Sequence, residues 1–93
     1  LIIGLRIVEI YIPQAQSLKD KRQVLRRIKD KIKAKYNVSF AEIDYQDKWQ
    51  RCNLGLVSIG NRRLDVDKRL DGILRMIEQD DRVTVIAVDR EYL

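Results

Sequence analysis

Histidine is absent from this chain, and cysteine, proline, tryptophan and phenylalanine occur once each. Without histidine there is no His-dependent catalytic triad, no imidazole proton shuttle and no ordinary zinc site. A lone Cys52 cannot close an internal disulfide, and within the strand-like run Arg51 to Ile59 it reads as a small core residue rather than a reactive thiol. No apolar run approaches the roughly 18 to 20 residues a membrane helix needs, and no basic, apolar and small-residue triplet marks a signal peptide. A cytoplasmic protein with no membrane partner is therefore expected. Nothing in the composition calls for a cofactor or a metal.

What is present is positive charge, and it is concentrated. Of nineteen Lys and Arg residues in the 93-residue chain, with net charge +5, nine fall between Leu18 and Lys35. Only Asp20 and Asp30 oppose them, and no Glu occurs in that segment. A helix built merely for solubility or heat resistance mixes Glu with Lys in ion pairs. The sign bias points instead to a polyanion such as nucleic acid.

Six periodic segments follow one another with no linker, repeat or low-complexity stretch. Ile2 to Ile12 is rich in β-branched residues and ends at Pro13, which has no amide proton for a ladder. Ser17-Leu18-Lys19-Asp20 has the form of a capping box opening a helix. Leu18, Leu25, Ile28 and Ile32 then repeat at helical spacing, flanked by Val24 and Tyr36, until Asn37 offers a left-handed stop. Val38 to Tyr45 and Arg51 to Ile59 read as an antiparallel pair joined by the loop Gln46 to Gln50, with slips in alternation near Phe40-Ala41 and Leu56-Val57 that mean either a bulge or two-sided burial. Val66, Leu70, Ile73, Leu74 and Ile77 stripe a second helix whose outer side carries Gly72, and Arg82 to Val88 closes the chain as a strand.

Strand, helix, strand, strand, helix, strand over residues 1–93 predicts a single α+β domain of the ferredoxin-like split βαβ type (order βαββαβ): an antiparallel four-stranded sheet with both helices on one face. Strands one and three should be central. Strand one carries Val8, Ile10 and Ile12 on one side and Ile3, Leu5, Ile7 and Tyr11 on the other, and strand four is similarly two-sided. Either the open sheet face is covered, most simply by a second copy in a homodimer, or the strand ends are more buried than the pattern implies.

Two separated segments, Ser17-Leu18-Lys19-Asp20-Lys21-Arg22 and Asp47-Lys48-Trp49-Gln50-Arg51, together with Asn37-Val38-Ser39 and Gly60-Asn61, resemble the signatures of the YlxP-like family, small bacterial proteins of unknown function. The resemblance runs from about Leu5 to Val88. It implies a ferredoxin-like fold and a gene commonly found beside translation-initiation and ribosome-maturation genes, hence an RNA or ribosome connection. It implies no reaction and no catalytic residue, so the site must be read from the residues.

Projected at 100° per residue, Arg22, Arg26, Lys29 and Lys33 form one row along helix one, extended by Lys19. Lys21 falls inside the apolar stripe. We expect its ammonium to snorkel to water; the alternative is that it meets a carboxylate or a bound phosphate beside the loop Pro13 to Ser17. In the hairpin region Tyr45, Lys48, Trp49 and Arg51 interleave rings with cations, the combination that stacks bases and holds phosphates. A Trp beside a hairpin more often pins the loop to its own sheet, so both roles stand for Trp49. Strand three has no Phe or Tyr, which argues against base reading on the sheet as in RNA-recognition motifs.

Acylphosphatases share this size and predicted strand order, but Pro13-Gln14-Ala15-Gln16-Ser17 lacks the glycines and Arg of their phosphate cradle, and Asn53 with Arg6 or Arg22 would have to be forced into place. Asp65, Asp67 and Asp71 read as partners of a helix dipole rather than a magnesium site. The sequence thus leads to a non-catalytic RNA-associated or ribosome-associated module, with a protein-protein interaction module as the alternative.

Overall fold

A computed structural model describes residues 1–45 and 47–93 of the chain. It contains β1 (Ile2–Tyr11), α1 (Leu18–Lys35), β2 (Ser39–Asp44), β3 (Arg51–Gly60), α2 (Arg63–Glu78) and β4 (Thr84–Tyr92). The sheet is antiparallel in the order β2-β3-β1-β4. This is the ferredoxin-like fold with β1 and β3 at its centre.

Period-two burial decides which side of each strand meets the helices. Val8 and Ile10 of β1 and Cys52, Leu54 and Leu56 of β3 are inaccessible to solvent. They pack with Leu25, Ile28 and Ile32 of α1 and with Val66, Leu70, Ile73 and Ile77 of α2. Gly4 is needed on β1 because a Cβ there would stand 2.6 Å from Val66 Cγ1 and 2.9 Å from Leu70 Cδ1. That closeness seats α2 directly on the central strand.

The capping prediction holds at Ser17, whose hydroxyl accepts from the Asp20 amide at 3.1 Å. The reciprocal bond starts one residue earlier than a capping box places it, from the Gln16 amide to Asp20 Oδ2 at 3.0 Å. The left-handed stop expected at Asn37 is not used. Helix α1 ends at Tyr36 in extended backbone, its amide closing on the Ile32 carbonyl, and Tyr45 is the residue with positive φ, 60°.

Two further expectations need correction, and a third resolves between its alternatives. The irregularity in β2 lies at Ile43 rather than at Phe40-Ala41, because Glu42 pairs with Leu54 and Asp44 with Asn53, leaving Ile43 as the extra residue. At Leu56-Val57 the β1–β3 ladder runs unbroken, so that slip is two-sided burial, not a bulge. Gly72 is buried rather than outward-facing, since a Cβ there would collide with the Tyr36 hydroxyl. In addition β4 runs on to Tyr92, with a bulge at Ile86. Its charged end obscured the alternation, but Arg90 and Tyr92 there reach Asp71 and Asp67 of α2.

Candidate nucleic-acid interface

Helix α1 covers the β2–β3 side of the sheet, so its outer flank overhangs the edge strand β2. Lys19, Arg22, Arg26, Lys29 and Lys33 are all exposed. None takes part in an ion pair among the described residues, whereas Arg6, Lys21, Arg51, Arg62, Arg82 and Arg90 all do. Between ridge and strand runs an open groove of about 270 Å³, with Arg22, Arg26 and Lys29 on one wall, Phe40, Ala41 and Glu42 on the other and Leu25 between; the Glu42 carboxylate is engaged by Lys21.

Lys21 is where the structure departs furthest from expectation. Its side chain does not snorkel: the residue is 1% exposed. The ammonium donates to the carbonyls of Tyr45 at 2.6 Å and Lys48 at 2.8 Å and pairs with Glu42 Oε2 at 3.0 Å. Three acceptors use all three ammonium donors, so the carboxylate alternative is correct and Lys21 has no donor left for a phosphate.

The consequence is architectural. One buried cation ties the loop between β2 and β3 to the first turns of α1, and the Gln50 amide strengthens the tie by donating to the Pro13 and Ala15 carbonyls at 3.0 and 3.2 Å. The two cationic segments found separately in the sequence therefore meet at the N-terminal end of the ridge. Glu42 also accepts from the Cys52 thiol at 3.2 Å. Burial, reinforced by that bond, pushes the thiol far above its ordinary range, and Cys52 is an inert core residue as expected.

Trp49 is 53% exposed. It lines an open hollow with Asp47, Lys48, Gln50 and Arg51, so about half of its surface is presented to solvent. Arg51 lines the same hollow, with its guanidinium paired to Glu9 and stacked 4.4 Å from the Tyr45 ring centroid. Gln46, expected in the same loop, lies outside the described residues.

Other polar residues resolve into structure. Arg6 is buried on the helix side of β1, held by Asp67 at 3.0 Å, while Asn53 pairs with Glu9 and faces the other way. The two residues that acylphosphatase chemistry would require together are thus on opposite faces of the sheet. Asp67 also accepts from the Tyr92 hydroxyl, the main cause holding its carboxyl below the ordinary range, with Arg6 adding to the effect. Asp65 pairs with Arg62 at 2.9 Å and Asp71 with Arg90 at 3.6 Å, so Asp65, Asp67 and Asp71 all serve as ion-pair partners. No group of metal-ligating side chains occurs among the described residues, and no helix is long and apolar enough to cross a membrane.

Two residues of this region were missed in the sequence. Phe40 and Glu42 alternate onto the helix-facing side of β2, opposite Leu56 and Leu54. A carboxylate on that side demands a partner, and Lys21 on the apolar stripe of α1 was the complementary anomaly.

The family model described as Protein of unknown function (DUF503) matches residues 3–90. The chain belongs to that family. It is also 42% identical over 76 residues to the uncharacterized protein YlxP of Bacillus subtilis (strain 168), an alignment covering 82% of this chain and 83% of the relative. The family resemblance carried by the Ser17–Arg22 and Asp47–Arg51 segments is thereby confirmed. Those same segments are the ones that Lys21 joins through its bond to the Lys48 carbonyl.

Proposed function

We propose that the protein is a non-catalytic RNA-associated or ribosome-associated module of the bacterial cytoplasm, in which α1 contacts phosphates and Trp49 stacks on a base. The observation that carries this reading is the exposed row Lys19, Arg22, Arg26, Lys29 and Lys33, without ion pairs among the described residues and joined at one end to an exposed tryptophan. Like charges at helical spacing cost α1 a few tenths of a kcal/mol per pair. A phosphate backbone offsets that cost. Lys48 and Arg51 add cations beside the ring, the charge of Arg51 being partly neutralised by its pair with Glu9.

Pull-down from a bacterial lysate with and without nuclease tests the class of partner: nuclease should release the captured material. Capture of protein that survives nuclease would favour a protein-interaction module instead. Trp49 gives a sharper test. RNA should quench its fluorescence, and Trp49→Ala should weaken binding by the roughly 1–3 kcal/mol of one base–aromatic stack. The melting temperature should stay unchanged, because the ring is largely outside the core; a marked fall would assign Trp49 to packing.

The open sheet face supports a homodimer in the same reading. Leu5, Ile7, Ile43 and Val57 border an apolar hollow of about 340 Å³, and Ile59, 59% exposed, projects from β3 of the same face. A knob and a hole on one face are what a two-fold interface needs, each copy filling the other. It leaves the ridge free. Leu5→Glu should convert a sedimenting dimer to monomer, and a wild-type monomer at tens of micromolar would refute the dimer.

A further inference from the structure

We infer that the polyanion taken by this surface is a single strand of RNA lying in the groove between α1 and β2, with one base on Phe40 and another on Trp49. The inference rests on the RNA reading above and adds the conformation of the ligand and a second stacking residue. Three features of the groove converge on it.

The first is the ring in the wall. Phe40 is the only phenylalanine, it is half-buried, and it lines the groove opposite Arg22, Arg26 and Lys29. An aromatic face set across from cations receives a base whose own phosphate the cations hold. A base offers its face only when it is unstacked, which excludes one inside a duplex.

The second is shape. The cations do not stand on a free convex surface. They overhang β2, so one wall of the groove is a helix and the other an edge strand. A slot of that kind admits one sugar–phosphate chain. A duplex can only rest across the ridge, touching phosphates without reaching Phe40.

The third is direction. Lys21 fixes the hairpin loop at the N-terminal end of α1, so Trp49 stands beyond one end of the cation row. At about 1.5 Å rise per residue the ridge from Arg22 to Lys33 extends about 16 Å. A strand bound along it meets Phe40 beside the middle cations and Trp49 past the first turn. The sheet face, where RNA-recognition motifs stack their bases, is left to other contacts.

The test is fluorescence anisotropy with a short labelled oligouridine, free and annealed to oligoadenine, using the wild-type protein, Phe40→Leu and Trp49→Ala. Phe40→Leu keeps an apolar side chain against the core, and circular dichroism melting checks that it folds. The free strand should bind at least about tenfold more tightly than the duplex. Phe40→Leu should lower single-strand affinity about five- to a hundredfold, the range of one stacked base, and leave duplex affinity unchanged. Equal affinity for strand and duplex, with Phe40→Leu inert, would overturn the inference while leaving a phosphate-binding ridge. Displacement of the strand by polyglutamate at matched charge concentration would also overturn it, showing selection for charge alone. No binding of either RNA would instead defeat the underlying RNA reading.

Discussion

Combining Arg22→Glu, Arg26→Glu, Lys29→Glu and Lys33→Glu should abolish most RNA binding while leaving the fold intact. Each reversal removes two units of positive charge, which turns the net +5 of the chain negative. Four phosphate contacts on a single strand contribute roughly −0.7 each to the slope of log K against log salt. The wild-type affinity should therefore fall about fiftyfold between about 50 and 200 mM salt, and this dependence should vanish in the variant. Folding should survive because all four side chains are exposed and none belongs to an ion pair that the core relies on. Arg26→Ala alone should lower the slope by about one contact and weaken all sequences alike, since charge on one helix face holds phosphates without reading base edges. Unchanged affinity and slope in the fourfold variant would make the ridge a solvated face.

That ridge was legible in the sequence because helical periodicity is a local property: spacing along one element places Arg22, Arg26, Lys29 and Lys33 together whatever the rest of the chain does. The element order, the Ser17 cap and the central position of β1 and β3 were legible for the same reason or from connection rules. What escaped depends on contacts between elements. Gly72 looked like a tolerated weakness in an outer helix face until the Tyr36 ring was found against it. Lys21 looked like a snorkelling residue because its partners, Glu42 and two loop carbonyls, lie more than twenty positions away. The end of β4 was lost because Arg90 and Tyr92 are polar on the helix side, where Asp67 and Asp71 make them acceptable. In each case the local pattern was violated by a group with a distant partner. Phe40 belongs to the same set: its place in the strand was readable, but its position across a groove from three cations of α1 needed the packing of helix on sheet.

Lys21→Met should be the most damaging single change in this surface, and it separates architecture from contact. It removes the three contacts the ammonium donates, including the ion pair with Glu42, whose side chain is about a quarter exposed. Breaking a buried pair on one side costs about 3–5 kcal/mol, and the partial exposure of Glu42 places the loss near the lower end, about 3 kcal/mol. For a domain of this size that is a fall of roughly 15 °C in melting temperature, measurable also as a shifted urea midpoint with unchanged slope. The binding outcome is the informative one. With the loop released from α1, Lys21→Met should bind RNA no more tightly than Trp49→Ala, and adding Trp49→Ala to it should cost nothing further. Its salt slope should equal that of the wild type, since a lysine whose donors are all taken by Glu42, Tyr45 and Lys48 neutralises no phosphate. A slope reduced by one contact in the folded variant would return Lys21 to the phosphate-binding set and detach the hairpin loop from the binding surface.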